Sequence, residues 1–134
     1  MTLRDAGRLL FAVAFFVGAA VNAIMLLVSP ELYQGFADLS FFCLYKSLWR
    51  RLIVPNLQVW IALVVAFEMG IGVLLLSADP FARLGLILSL AFALFLVPLW
   101  WGGGALVNLL LLVLLLWLLR FDYPVAIVPW RPGR

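Results

Sequence analysis

One acidic side chain, Glu68, lies near the middle of a long apolar run, residues 56–77, where a charged group is energetically expensive. A carboxyl group surrounded by hydrocarbon favours its neutral, protonated form. In that form it donates a hydrogen bond to a quinone or another carbonyl compound, or it passes on a proton. The alternative role is structural, a hydrogen bond to Ser89 or to a backbone carbonyl. An acid within a span is a functional candidate by default, but a structural hydrogen bond would also account for it, so both interpretations stay open.

Other polar side chains in the apolar runs predict where a ligand would be held. Asn22 and Asn108 fall roughly 8–10 Å below the outer ends of their runs, at a rise of about 1.5 Å per residue. They predict an outer amide layer, with Gln58 above it. Glu68 and Ser89 fall roughly 18–20 Å from the outer ends and are expected to meet in a deeper layer. All five are candidate ligand-binding residues, although hydrogen bonding between helices alone would explain the two asparagines.

The residue types exclude most other chemistry. The 134 residues include no histidine and one cysteine, Cys43, so the chain has neither the usual proximal haem ligand nor a thiol pair. The sequence also shows no glycine-rich phosphate loop after a strand, no nucleophile beside a base and no metal-ligand spacing. We therefore expect no metal site and no catalysis by this chain alone. The expected cofactor is a bound quinone or lipid, if any.

The overall composition predicts a membrane protein. Hydrophobic residues make up 68% of the chain and charged residues 11%, whereas soluble domains are about half apolar and about a quarter charged. The net charge of +3 is confined to short hydrophilic gaps, which argues against a nucleic-acid partner. We predict one domain over residues 1–134, an all-α, integral-membrane four-helix bundle. The predicted spans cover residues 9–28, 56–77, 81–101 and 105–119. Residues 29–55 are aromatic and basic, and are predicted to form either an outer interfacial segment or an ordinary connecting loop.

Small residues at helical spacing predict which helix faces pack closely. The predicted packing residues are Ala14, Gly18, Ala66, Gly70, Gly72 and Gly85. Ala66 with Gly70, and Glu68 with Gly72, lie on nearly opposite faces of the second span, which predicts a central helix packed on two sides. Pro98 is expected to bend the third span, and residues 102–104 to form a turn before the fourth.

The distribution of basic residues predicts the orientation. A four-span chain places its head, the gap at residues 77–82 and its tail on one side. That side holds Arg4, Arg8, Arg83, Arg120, Arg131 and Arg134, and the other side holds Lys46, Arg50 and Arg51. Because cytoplasmic loops carry the excess of Arg and Lys, we predict a multi-pass protein of the cell membrane with both termini in the cytoplasm.

Several short motifs are shared with one known family. They are Gly7-Arg8-Leu9-Leu10 and Gly18 at and within the first span, Pro30 with Tyr33 and Phe36 after it, Glu68 with Gly70 and Gly72 in the second, and Gly104 to Asn108 at the entry to the last. Together they resemble the DoxX-like family of small four-span membrane proteins. On that resemblance, Glu68 matches the family's second-span acid and Arg8 the basic start of its first span. The long aromatic outer loop departs from the family pattern.

The resemblance implies a function as well as a fold. The family is named from the small membrane subunit of an archaeal thiosulfate:quinone oxidoreductase. It implies a non-catalytic membrane subunit of a redox assembly, with a hydrophobic quinone- or lipid-binding groove near Glu68. The expected partners are the bilayer and a soluble or membrane redox protein, and an oligomer is compatible with this. Two alternatives stay open: a stand-alone binder or carrier of a small lipophilic molecule, and a purely structural partner in a larger complex.

Overall fold

Helices dominate the part of the chain that the computed structural model describes, residues 2–97 and 103–128, and no strand occurs within it. The predicted all-α fold class is confirmed. The helices are α1 (Leu3–Val28), α2 (Leu32–Gly35), α3 (Cys43–Leu48), α4 (Leu57–Leu76), α5 (Phe81–Leu96) and α6 (Gly103–Leu118). A 3₁₀ turn, Phe36–Leu39, follows α2, and the π-helical turn Trp49–Ile53 and the 3₁₀ turn Val54–Asn56 join α3 to α4.

Helix α1 begins well before the predicted start of the first span, because its N-terminus is capped. The Thr2 side chain accepts a hydrogen bond from the Asp5 amide, and the Asp5 side chain accepts one from the Thr2 amide. This reciprocal pair is a capping box, which satisfies amides that have no partner inside the helix. Arg4 and Arg8 therefore lie on the helix itself and not in an extended head.

The second long helix also begins earlier than predicted. Helical structure is continuous over Cys43–Leu76, 34 residues, so about half of the expected outer loop extends α4 outward. The regular pattern changes around Pro55, which has no amide hydrogen to donate to the preceding turn. Leu3–Val28 and Cys43–Leu76 are long and apolar enough to cross a membrane, whereas α5 and α6 have 16 residues each.

Helix α4 packs against both α1 and α5, and α5 packs against α6. Helices α1 and α6 touch only over a short length. Glycines make the close contacts: a Cβ on Gly72 would lie 2.7 Å from the Phe16 ring, and one on Gly85 would lie 3.0 Å from the Leu75 backbone nitrogen. Gly72 and Gly85, two of the predicted packing residues, therefore lie where neighbouring elements approach closely.

The opposite small-residue face of α4 was wrongly predicted to pack. Ala66 and Gly70 are exposed, and no other atom lies within 4 Å of a Cβ built on Gly70. The buried residues of α4 are Ile61, Glu68, Ile71, Gly72 and Leu75. They form one stripe, and both neighbouring helices pack along it, so the other side of α4 faces outward.

The connection from α5 to α6 falls partly outside the described residues. Pro98, where a bend was expected, lies there, and so does Gly102 of the expected turn. Helix α6 already begins at Gly103, so Gly103 and Gly104 are helical and not part of a turn as predicted. The first turn of a helix tolerates glycine because its amides have no partner within the helix.

After α6 the chain leaves the helix and folds back on the bundle. The Tyr123 amide donates to Asp79 Oδ2 at 2.6 Å, and the Asp79 amide donates to the Tyr123 carbonyl at 2.9 Å. Further along, the Ile127 amide donates to the Leu76 carbonyl at 2.9 Å. The start of α1, the α4–α5 turn and the described tail thus meet at one end of the bundle, as the span count predicted. Arg131 and Arg134 lie outside the described residues.

The distribution of side chains over the described residues is the reverse of that in a soluble protein. Exposed leucine, valine, isoleucine and phenylalanine side chains run along the outward faces of α1, α4, α5 and α6. Arg8, Glu68 and Ser89, in contrast, are buried. In soluble proteins charged residues are almost never fully buried and large exposed apolar patches are rare.

Two glycine substitutions test this packing. Gly85→Ala should lower the free energy of unfolding by about 1–3 kcal/mol, because the new Cβ would press on the backbone of α4. Gly70→Ala, at an open position, should be neutral or gain up to about 1 kcal/mol from helix propensity. Thermal unfolding of both purified variants in the same detergent measures the difference. Equal changes in melting temperature would contradict the assigned faces.

Candidate functional site

Glu68 is buried where α4 meets α1. Its side chain is 5% exposed, and its Oε2 accepts a hydrogen bond from Asn22 Nδ2 at 2.9 Å. The other carboxyl oxygen, Oε1, lies against Gly18, where an added Cβ would be 3.0 Å away. A larger residue at position 18 would therefore press on the carboxyl group, so glycine there leaves the room that Glu68 occupies.

A tyrosine from the outer segment fixes the orientation of the Asn22 amide. The Tyr33 hydroxyl donates to Asn22 Oδ1 at 2.8 Å, which leaves the Nδ2 side of the amide directed at Glu68. Tyr33 is 1% exposed, and burial raises the pKa of its phenol, so the hydroxyl keeps its proton at neutral pH. Trp49 Nε1 in turn donates to the Tyr33 carbonyl at 2.7 Å. Short helix α2 and the start of the α4 helical run are thereby attached to the buried acid.

The expected division into two polar layers is wrong for Asn22 and Glu68, because these side chains are directly bonded. The predicted depths require the ends of the apolar runs to mark a common plane. They do not, because the helical run of α4 extends back to Cys43. Asn22 forms a hydrogen bond between α1 and α4, which is the simpler of the two roles considered for it from the sequence.

Ser89, the expected structural hydrogen-bond partner of Glu68, bonds to its own helix instead. Ser89 Oγ donates to the Gly85 carbonyl one turn earlier in α5, at 2.7 Å. Serine side chains within helices commonly form this bond to the preceding turn. Ser89 therefore lines the same cavity as Glu68, but its hydroxyl is bonded to Gly85 and not to the Glu68 carboxyl group.

A cavity of about 210 Å³ brings most of the predicted ligand-binding residues together. It lies between α1, α5 and α6, and Glu68 reaches it from α4. Its lining residues are Leu10, Phe11, Ala14, Phe15, Glu68, Ser89, Phe92, Ala93, Leu96, Asn108, Leu111 and Leu115. Leu10 and Leu111 are exposed, which shows that the cavity opens sideways between α1 and α6. Gln58 is exposed near the start of α4 and lies outside this group.

The cavity wall is mainly apolar and aromatic. Phe92 lies with its ring centre 5.9 Å from that of Phe15 and 5.8 Å from that of Phe67, so the three rings form one cluster beside the acid. The polar groups in the lining are the Glu68 carboxyl, the Ser89 hydroxyl and the Asn108 amide. An apolar cavity with a few polar groups is the usual form of a site for a small organic ligand.

Two contributors were not identified as site residues from the sequence. Tyr33 belongs to the aromatic outer segment and to the motif after the first span, but it was not predicted as a site residue, although a buried tyrosine hydroxyl generally requires a hydrogen-bond partner. Phe92 has no local signal, because an aromatic residue in an apolar run is most often ordinary core. Among residues 2–97 and 103–128, no group of three or more acidic, cysteine or histidine side chains is placed to hold a metal.

Comparison with known proteins gives no match to any family model, curated protein or solved structure. The resemblance to the DoxX-like family therefore stays a hypothesis based on the motifs given above.

A double-mutant cycle tests the Tyr33–Asn22–Glu68 chain. Asn22→Ala and Tyr33→Phe should each lower the free energy of unfolding by about 0.5–1.5 kcal/mol, as expected for buried hydrogen bonds in a membrane protein. Because the hydroxyl bonds the amide, the two losses should fall short of additivity by about 0.5 kcal/mol or more. Equilibrium unfolding in mixed micelles measures all three variants. Gln58→Ala, at an exposed amide, is the control and should add independently to either change; additive losses from Asn22→Ala and Tyr33→Phe would contradict the chain.

Proposed function

We propose that the chain is a multi-pass membrane protein that binds a small lipophilic molecule, of the quinone type, in the cavity beside Glu68. Helices α1, α4, α5 and α6 cross the bilayer in this proposal, with both termini on the cytoplasmic side. The observation that carries the proposed function is the cavity itself: an apolar, laterally open space that ends on a buried carboxyl group.

The reversed distribution of side chains supports the membrane setting. Large apolar side chains such as Leu27, Val73 and Leu110 are 83%, 57% and 62% exposed, which is costly in water and neutral in lipid. With a rise of about 1.5 Å per residue, α5 and α6 reach roughly 24 Å, and a bilayer thins locally around short spans at a modest cost.

The size and position of the cavity support a lipophilic ligand. A dry apolar cavity of about 150 Å³ accommodates benzene, so a space of about 210 Å³ accommodates one substituted six-membered ring. Its lateral opening at Leu10 and Leu111 would admit such a ring directly from the lipid, with an alkyl chain remaining outside.

The hydrogen bonds of Glu68 support a role as donor. Asn22 already donates to Oε2, so a proton carried by the carboxyl group would reside on Oε1. A neutral acid in this state donates a hydrogen bond to a ligand carbonyl and avoids the cost of a buried charge. The Ser89 hydroxyl and the Asn108 amide supply further polar contacts along the lining.

The resemblance to the DoxX-like family extends this proposal. On that resemblance the ligand is a quinone, and the chain is a non-catalytic membrane subunit that holds it for a redox partner. A carrier that works alone would use the same cavity. Copurification of a flavin or iron–sulfur protein with the chain would favour the subunit role.

A matched set of variants tests the role of Glu68. The probe is a short-chain alkyl benzoquinone, and its binding to the purified protein is measured by native mass spectrometry from mild detergent. Glu68→Gln should bind within about threefold of wild type, because the amide still donates a hydrogen bond and accepts the one from Asn22. Glu68→Leu should bind about tenfold more weakly, which corresponds to the loss of one buried hydrogen bond. Equal binding by Glu68→Leu and wild type would overturn the proposal.

A second pair of variants tests the location of the ligand. Ala14→Phe places a ring at the mouth of the cavity and should abolish binding of the same quinone. Ala66→Phe places the same ring on the outward face of α4 and should leave binding unchanged. Loss of binding in both variants, or in neither, would show that the quinone is not held in this cavity.

A further inference from the structure

A second cavity, of about 410 Å³, lies at the end of the bundle where α1 begins. Three charged residues of α1, Arg4, Asp5 and Arg8, line one side of it, and the folded-back tail, residues 123–127, forms the other side. None of these residues takes part in the Glu68 cavity. The volume is more than ten times the roughly 30 Å³ that one water molecule occupies in the liquid, so a polyatomic group fits.

Arg8 is held rigidly in the wall of this cavity. Its side chain is fully buried, Nη1 donates to the Ser77 carbonyl at 3.0 Å, and Nη2 donates to the Val125 carbonyl at 3.3 Å. The guanidinium carbon lies 4.4 Å from the centre of the Tyr123 ring. The third guanidinium nitrogen, Nε, is buried and has no hydrogen-bond partner among the described residues. A buried donor without a partner is costly, and a bound acceptor would remove that cost.

The charges around the cavity favour an anion. Arg4 lies one turn before Arg8 on the same helix face, and both are at the N-terminal end of α1, where the helix dipole is positive. Asp5 is the acidic residue in the lining. Its carboxyl group is already engaged with the Thr2 amide and hydroxyl, and lies 4.0 Å from Arg8 Nη2.

We propose that this cavity binds the phosphate group of an anionic lipid at the cytoplasmic surface of the membrane. Arginine is well suited to phosphate oxygens, and basic recesses on the cytoplasmic side of membrane helices are typical headgroup sites. The lipid source rests on the transmembrane arrangement proposed above, but the site does not depend on the Glu68 cavity. A soluble phosphate ester offers the same chemistry, so the test includes it as a separate arm.

Native mass spectrometry of the full-length protein in mild detergent tests the proposal with three probes: phosphatidylglycerol, phosphatidylcholine and glycerol phosphate. Wild type should retain phosphatidylglycerol in preference to phosphatidylcholine. Arg4→Gln should weaken that retention about tenfold, the effect of losing one charge-assisted contact. Asp5→Asn should strengthen it several-fold by removing the opposing charge, a gain that misfolding cannot produce. Arg83→Gln, which removes an exposed cation outside this lining, should change nothing.

The outcomes separate the possible failures. If Arg4→Gln and Asp5→Asn both behave as Arg83→Gln does, the anion site is overturned. If glycerol phosphate competes with phosphatidylglycerol at similar concentration, the lipid assignment is overturned and a free phosphate ester takes its place. The same variants should bind the alkyl benzoquinone as wild type does, so a failure at this end of the bundle is distinguishable from a failure at Glu68.

Discussion

The buried Glu68 carboxyl group is the constraint on which the packing of α1 against α4 depends. An acid within apolar surroundings must find its hydrogen-bond partners in the protein, because neither lipid nor the core supplies any. Asn22 provides one, and it can do so because Gly18, one turn before it, lets α1 approach α4 closely. The same amide is oriented by Tyr33, so the placement of the outer segment follows from the requirement of one side chain.

The cavity beside Glu68 exists because the bundle does not close along its whole length. Helix α6 packs on α5, and it meets α1 near the beginning of α1, where Leu118 lies against Gly7. Further along α1, at the level of Ala14 and Leu111, the two helices do not close on each other, and the cavity beside Glu68 lies between them. The end of the bundle where α1 begins is closed differently, by the tail and the Arg8 side chain, so the two cavities are shaped by different parts of the chain.

The sequence predicted the all-α class, the burial of Glu68 and the common side of the head, the 77–82 gap and the tail, because each is a local pattern of composition or spacing. It did not predict the bond between Asn22 and Glu68, since the relative depth of two helices depends on where each one starts in space. It also could not choose between the two small-residue faces of α4, since both have suitable spacing. The contact of Arg8 with Tyr123 joins residues at opposite ends of the chain, and no local signal links them.

The polar contacts of α1 explain how a chain of such uniform apolar character adopts one arrangement. Packing between leucine-rich helices in lipid gains little, because the lipid is as apolar as the side chains. Hydrogen bonds differ, since each acceptor has a fixed position. Arg8 and Asn22 lie roughly 21 Å apart along α1, and each bonds a different segment of the chain. These two hydrogen-bonded residues fix both the position of α1 along its axis and its rotation about that axis. Ala14, which lies between them, therefore keeps its place at the cavity mouth although few atoms pack against it.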